Sequence, residues 1–167
     1  KATGIKPIIG AEVYMANRSR FDKDSNGGDA ERGHLILLAK NNNGYKNLTK
    51  LVSLGFTEGF YYKPRIDKEI LEKYCDDLVC LSACLAGEIP RAIVENNFDK
   101  ARDLAIEYRD IFGDGNFFLE MQPSPDKDQI YVNQQILMLS SSKIVYLIFL
   151  SSTTSFNSGS LPNKPNT

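Results

Sequence analysis

The sequence predicts an α/β fold, and two patterns along the chain support that prediction. Apolar runs of strand length alternate with segments in which apolar residues recur every three or four positions, a pattern typical of helices packed on a mostly parallel sheet. Of the 167 residues, 42% are hydrophobic and 25% are charged, which is typical of a globular protein. This length suits one domain, which we place at residues 1–150. Residues 151–167 are rich in Ser, Thr and Asn and are expected to be a disordered or aberrant tail.

Five strands are predicted from apolar segments bounded by turn residues. The first is entered from a loop within residues 4–14, and the others cover residues 34–39, 78–82, 116–121 and 144–150. Residues 17–33 are charged and rich in glycine, so we expect a solvated loop there. If this loop joins the first two strands in an antiparallel hairpin, the end of the first strand lies beside the start of the second.

Five helices are predicted between these strands. The first follows Asn43 and Gly44, with an apolar stripe formed by Tyr45, Leu48, Leu51, Val52 and Phe56. Asp67 is expected to cap the second helix with its carboxylate, and a third begins near Glu88. The clearest helix covers residues 98–112 and ends at Gly113, a residue typical of helix C-termini. A fifth covers residues 126–139.

Composition excludes several classes of function. The net charge of −1 argues against a strongly basic nucleic-acid clamp, and no glycine-rich phosphate-binding motif is present. The single histidine, His34, excludes a histidine-rich metal site within this chain alone. Three cysteines without a disulfide spacing favour a reducing compartment, so we expect a cytoplasmic protein. The longest apolar run, residues 144–150, is too short to span a membrane.

Three residues are candidate metal ligands, and no catalytic residue is assigned. Glu12 interrupts an apolar strand, where an unpaired carboxylate is costly. His34 begins the second strand and Cys84 follows the third. In a hairpin, Glu12 and His34 approach each other at one rim of the sheet, within reach of the Cys84 thiol. The alternative is a carboxylate paired with an arginine, a capping histidine and a buried cysteine.

A second candidate site is a contact to nucleic acid or phosphate by Tyr62, Lys63 and Arg65. Aromatic rings stack on bases, and cationic side chains pair with phosphates. The alternative is an ordinary turn held by Pro64, with the tyrosines packed on neighbouring helices.

Four segments in this order resemble the PHP (polymerase and histidinol phosphatase) domain as it occurs in bacterial DNA polymerase III alpha subunits. They are GIKPIIGAEVY (residues 4–14), HLILLAKNNNGYKNLTKLVS (34–53), EGFYYKPRID (58–67) and LSACLAGEIPR (81–91). The resemblance covers residues 1–136. It implies a distorted (β/α)7 barrel with metal ions at its rim, and Glu12, His34 and Cys84 match family ligands.

The resemblance also implies an incomplete barrel, lacking its N-terminal strands and its C-terminal closure. The family's HxH pair, an acidic ligand and a DHG histidine would precede Lys1, and its closing DxH is missing near residues 144–150. We therefore expect a fragment whose metal site retains only some of its ligands. The divergence after residue 136 is expected for a frameshift or a truncated reading frame.

The implied function is that of a fragment of a replicative DNA-directed DNA polymerase, in which a magnesium-dependent palm lies elsewhere. The PHP module implies Zn²⁺ or Mn²⁺ and a 3′–5′ exonuclease or phosphoesterase potential, which we expect to be lost here. The implied partners are DNA, a proofreading subunit and a sliding clamp, with no membrane. The alternatives are a free-standing PHP phosphoesterase and a purely structural interaction module.

Overall fold

The computed structural model describes residues 3–141 and 145–149. In this part of the chain, six strands form one sheet in the order β3-β1-β2-β4-β5-β6. The strands are β1 (Gly10–Ala16), β2 (Arg32–Ala39), β3 (Arg65–Ile66), β4 (Leu78–Leu81), β5 (Phe117–Met121) and β6 (Tyr146–Phe149). Each predicted strand is confirmed within a few residues, and the two-residue β3 is the one that sequence analysis missed.

The first two strands form the antiparallel hairpin expected from the sequence. Tyr14 lies opposite His34, and the pairing extends from Gly10–Leu38 to Ala16–Arg32. β2 also pairs antiparallel with β4, whereas the β1–β3, β4–β5 and β5–β6 pairs are parallel. The sheet is therefore mixed rather than mostly parallel. The connection between β1 and β2 contains no helix, which favours an antiparallel pair, because parallel neighbours are usually joined through a helix.

Five helices cover one face of the sheet. They are α1 (Asn42–Thr57), α2 (Lys68–Lys73), α3 (Glu88–Val94), α4 (Phe98–Phe112) and α5 (Lys127–Ser141). All five contribute to one apolar cluster with strand residues such as Val13, Leu35, Leu37 and Cys80. Burial of this cluster is the main stabilising contribution to the fold. The opposite face of β1, β2, β4 and β5 carries the candidate site.

The predicted helix ends are confirmed, but the apolar face predicted for α1 includes residues that are exposed in the structure. Asp67 accepts from the Ile70 backbone N–H at the start of α2, and Gly113 ends α4 with φ +79°. Leu48 and Leu51 are buried as expected, whereas Tyr45 and Phe56 are 49% and 58% exposed. Only a narrow side of α1 packs against the sheet, and the rest of the helix faces solvent.

The predicted solvated loop, residues 17–31 in the structure, contains two buried charged residues. Arg20 is 6% exposed and Asp29 is 1% exposed. The Asp29 carboxylate accepts from Nε and Nη2 of Arg18 at 3.0 and 2.7 Å and from the Asp24 backbone N–H. Arg20 donates to Asp67 and Glu58. Most of the other loop residues are exposed, so the loop is solvated as expected. Its composition did not indicate the ion pairs that attach it to the rest of the structure.

Asp29→Asn is expected to make the protein less stable at neutral pH and less sensitive to acid. The Arg18 guanidinium, as the main cause, holds the pKa of the Asp29 carboxyl below its ordinary value of 3.8. A depressed carboxyl pKa stabilises the folded state above the unfolded-state value and loses this contribution as pH falls. Urea unfolding of both proteins from neutral to acidic pH measures the effect.

The stability difference between wild type and Asp29→Asn should be constant well above pH 3.8 and should shrink as the pH falls below 3.8 toward the lowered pKa of the folded state. Asp114→Asn, at an exposed position, is the matched control and should leave the pH profile unchanged. A difference between wild type and Asp29→Asn that stays constant at all pH values would contradict the prediction.

Two sequence predictions fall on residues without a described placement. The tail at residues 151–167 lies outside the described residues, as do residues 144 and 150 of the predicted last strand. Among the described residues, no helix has both the length and the apolar character that a membrane crossing requires.

Candidate metal centre

The face of the sheet opposite the helices carries a row of polar side chains. Side chains along a strand alternate between the two faces, and Tyr14 pairs with His34. Glu12 is two residues from Tyr14, so it lies on the same face as His34. Val13 and Leu35, on the other face, are buried in the core. The alternation of the two strands therefore sets Glu12 and His34 side by side.

The predicted convergence of Glu12, His34 and Cys84 is confirmed. Glu12 Oε1 lies 2.6 Å from His34 Nδ1, and Cys84 Sγ lies 3.6 Å from the same nitrogen. One donor atom from each residue lies within 4.8 Å of the other two. Glu12 pairs with the histidine and not with an arginine, which was the alternative considered from the sequence.

The loop between β4 and α3 brings Cys84 to the cluster. Ala83 has φ +60°, a left-handed conformation that turns the chain sharply after β4. The Gly87 N–H donates to the Cys84 carbonyl at 2.8 Å, and the His34 N–H donates to the Ala86 carbonyl at 3.1 Å. The loop is thus attached by its backbone to the strand that carries His34.

The donor set suits a divalent cation. Imidazole nitrogen, carboxylate oxygen and thiolate sulfur are the usual ligands of Zn²⁺, with metal–ligand distances of about 2.0–2.3 Å. Two donors on one ion are then at most roughly 4.6 Å apart, and one donor atom from each of the three residues lies within 4.8 Å of the other two. The Glu12 side chain is 53% exposed and that of His34 is 25% exposed, so the cluster is accessible from solvent. These three residues could hold one metal ion.

An open groove of about 470 Å³ adjoins His34 and is flanked by Arg32 and Arg91. The Arg91 guanidinium donates to the Arg32 and Ala86 carbonyls, which fixes it beside the loop that carries Cys84. The Arg32 guanidinium lies 5.4 Å from the centre of the Tyr14 ring. Glu31 and Glu95 also line this groove, and Arg91 Nη1 lies 3.9 Å from Glu31 Oε2. The groove beside the Glu12–His34–Cys84 cluster therefore carries two cationic and two anionic side chains.

Sequence analysis missed Glu120 on the same face. Glu120 is 1% exposed, and its Oε2 atom has no hydrogen-bond partner among the described residues. The available signal was the one used for Glu12, a carboxylate inside an apolar strand, here in the sequence FFLEM. The sequence around Glu120 contains no histidine or cysteine that would have indicated a second metal ligand nearby.

The predicted phosphate contact by Arg65 needs correction. Arg65 has no exposed surface, and its guanidinium donates to the backbone carbonyls of Gly59, Asp29, Arg20 and Asp22. A side chain with its donors used inside the protein cannot reach an external phosphate. Tyr62 and Lys63 are exposed, so their contact with nucleic acid stays a prediction.

Comparisons with known proteins give a family and several relatives for this chain. The family model described as "PHP domain" matches residues 1–124. DNA polymerase III subunit alpha of Borreliella burgdorferi is 50% identical over 140 residues, covering 84% of this chain and 12% of that relative. The corresponding proteins of Treponema pallidum and Thermus aquaticus are 46% and 48% identical, covering 72% and 80% of this chain. The chain spans 10–12% of the length of these three curated relatives.

Proposed function

This chain belongs to the PHP domain family, and on that premise we propose that it forms part of the PHP module of a DNA polymerase III alpha subunit. The convergence of Glu12, His34 and Cys84 carries this proposal, because it gathers three possible metal ligands in a chain that matches the PHP domain model. The three relatives are all DNA polymerase III alpha subunits, which favours the polymerase over a free-standing PHP phosphoesterase. The whole protein would be a cytoplasmic DNA-directed DNA polymerase in DNA replication.

The proposed architecture is a distorted (β/α)7 barrel of which this chain supplies a part. Residues 1–150 would form the partial PHP domain and residues 151–167 a tail outside it. The helix-covered face of the sheet would be the outside of the barrel, and the face with Glu12 and His34 would be its interior. In the whole protein, a palm with Mg²⁺ would carry out nucleotidyl transfer, and DNA, a proofreading subunit and a sliding clamp would be its partners.

We propose Zn²⁺ or Mn²⁺ as the cation at the Glu12–His34–Cys84 cluster. Such a cation, when bound, supplies Lewis-acid chemistry toward a phosphoester. Glu12 accepts the hydrogen that His34 carries on Nδ1, because a carboxylate oxygen is an acceptor. A bound cation would be held by an unprotonated imidazole nitrogen and a thiolate. Arg32 would bind the phosphate anion in the adjoining groove, because the Arg91 guanidinium already donates to the Arg32 and Ala86 carbonyls. Tyr62 and Lys63 would contact a nucleic-acid strand.

Three ligands hold a metal ion less firmly than a full coordination shell, so the chain alone is proposed to have lost 3′–5′ exonuclease and phosphoesterase activity. A purely structural interaction module is the second candidate function. It is favoured by the small number of ligands gathered among the described residues, one from each of three residues.

Cys84→Ser is expected to weaken Zn²⁺ binding by about 10- to 100-fold, because a hydroxyl replaces the thiolate ligand. Mn²⁺ binding should weaken less, since thiolates favour Zn²⁺ and carboxylates favour Mn²⁺. Isothermal titration of the chelator-treated chain with each metal measures both constants, and one equivalent should bind to the wild type.

Cys75→Ser is the matched control, because Cys75 is a free, partly buried thiol outside the cluster. Its Zn²⁺ affinity should equal that of the wild type. Equal Zn²⁺ affinity of Cys84→Ser and wild type would refute the site, and so would the absence of any binding.

The assignment to a polymerase has an independent test in the DNA that flanks this reading frame. A neighbouring frame that encodes HxH upstream and the remainder of an alpha subunit downstream is expected. Flanking frames that encode an unrelated enzyme would contradict the polymerase assignment and leave the metal site standing.

A further inference from the structure

Glu120 has a carboxylate that the fold does not satisfy. Gln122 Nε2 donates to Glu120 Oε1, but Oε2 has no hydrogen-bond partner among the described residues. The residue is 1% exposed, so solvent does not replace the missing partner. An unpaired buried polar atom costs about 1–3 kcal/mol, and a charged one costs more. A group that carries this cost is a candidate for binding something that the protein chain does not supply.

The sheet register places Glu120 on the face of the metal centre. Ile36 pairs with Leu81 and Leu81 pairs with Phe118, so these three side chains share a face. His34 is two residues from Ile36 and Glu120 is two residues from Phe118, and both are therefore on that same face. β4 separates β2 from β5, which sets the backbones at His34 and Glu120 roughly 9–10 Å apart.

The side chain between them is small. Ala83, which follows β4 and begins the turn toward Cys84 with φ +60°, has only a methyl side chain. The donor atoms that lie within 4.8 Å of one another belong to Glu12, His34 and Cys84, so the Glu120 carboxylate has to move toward them to share a cation. Burial, as the main cause, raises the pKa of the Glu120 carboxyl, and the negative charge of Glu12 also raises it. The two carboxylates therefore act on each other across this face.

A bound divalent cation would stabilise the Glu120 carboxylate better than protonation would. Protonation of Glu120 removes the charge but leaves the hydroxyl on Oε2 with nothing to donate to. A divalent cation neutralises the repulsion between Glu12 and Glu120 and supplies Oε2 with a partner. Buried charges in proteins are generally paired or bound to metal ions.

We propose that Glu120 is a further oxygen ligand of the divalent-cation site formed by Glu12, His34 and Cys84. This inference rests on the proposed function, because it requires the cation at that cluster. The site then has two carboxylates, one imidazole and one thiolate, drawn from β1, β2, the loop after β4, and β5. Mn²⁺, which favours carboxylate oxygen, gains more from Glu120 than Zn²⁺ does.

Glu120→Gln tests the proposal with Mn²⁺ as the probe, since the amide keeps the shape and removes the anionic ligand. Isothermal titration should show Mn²⁺ affinity about 10- to 100-fold lower than in the wild type, with a smaller loss for Zn²⁺. Glu72→Gln makes the same charge change at an exposed position on α2 and should leave both affinities unchanged. Co²⁺ provides a second readout, because its d–d bands depend on the ligands around it.

With Co²⁺ bound, Glu120→Gln should change the d–d bands and keep the thiolate-to-cobalt charge-transfer band from Cys84. Unchanged Mn²⁺ affinity together with unchanged d–d bands would overturn the role of Glu120. If Cys84→Ser still weakens Zn²⁺ binding in that case, the proposed function stands without Glu120. A wild-type chain that binds no divalent cation would overturn both.

Glu120→Asp covers the case in which Glu120→Gln does not unfold cooperatively. The aspartate keeps the charge but draws the carboxylate back by one methylene, so Mn²⁺ affinity should fall while the charge-transfer band remains. An Asp variant that folds and binds Mn²⁺ as tightly as the wild type would overturn the proposal.

Discussion

Arg65→Met is expected to lower the free energy of unfolding by about 3 kcal/mol or more. The guanidinium of Arg65 donates to four backbone carbonyls, those of Gly59, Asp29, Arg20 and Asp22. Each buried acceptor that loses its partner costs about 1–3 kcal/mol, and methionine supplies no donor. The loss also separates the loop of residues 17–31 from β3, because Arg65 connects the two.

Arg65→Lys should be nearly as destabilising as Arg65→Met. The lysine ammonium is a compact charge at the end of its chain, whereas the planar guanidinium directs five N–H donors outward. One ammonium cannot reach carbonyls that belong to separate segments of the loop. Burial is also the main reason that the pKa of the Arg65 guanidinium is lowered, which indicates that charge alone is not what stabilises this position.

Urea unfolding followed by circular dichroism measures these changes. Arg102→Met on α4 is the control, because its side chain is 51% exposed and its ion pairs with Asp99 and Asp103 lie at the surface. A surface substitution of this kind usually changes stability by less than about 0.5 kcal/mol. If Arg65→Met and Arg102→Met unfold at the same urea concentration, Arg65 does not organise the loop.

The sequence predicted the parts of the fold that depend on local patterns. The helix caps at Asp67 and Gly113 rest on single residues with strong conformational preferences, and both are confirmed. The convergence of Glu12 and His34 followed from one topological assumption, a hairpin between the first two strands. A hairpin fixes which residues face each other, so a correct assumption brought two site residues together.

The parts that failed depend on contacts between distant segments. Arg65 resembled a surface cation because it follows exposed aromatic residues, yet its partners lie up to 45 residues away. Composition predicted that residues 17–33 are solvated, and most of residues 17–31 are exposed, but composition does not reveal that Arg20 meets Asp67. Glu120 was missed for the same reason, since its relation to His34 runs through the register of β4.

Gly87→Ala is expected to weaken both the fold and the metal centre. A Cβ atom at Gly87 would overlap the Ser82 carbonyl oxygen and lie 3.1 Å from the Cys84 carbonyl oxygen. Both are backbone atoms that cannot rotate away, so the loop between β4 and α3 must shift. Overpacking of this kind costs about 1–3 kcal/mol. Because Gly87 also pairs with His34, the shift should move Cys84 relative to the imidazole.

We expect Zn²⁺ affinity to fall about tenfold in Gly87→Ala, which corresponds to 1.4 kcal/mol, in addition to a lower urea midpoint. Gly55→Ala is the matched control, because a Cβ atom on this face of α1 meets its nearest neighbour, Ile66 Cγ2, at 3.4 Å. Alanine favours a helix interior over glycine by about 1 kcal/mol, so this variant should be as stable as the wild type or more so, with unchanged Zn²⁺ affinity. If Gly87→Ala is destabilised but binds Zn²⁺ with normal affinity, the loop between β4 and α3 does not position Cys84. The metal centre would then tolerate a shift of the backbone that carries Cys84.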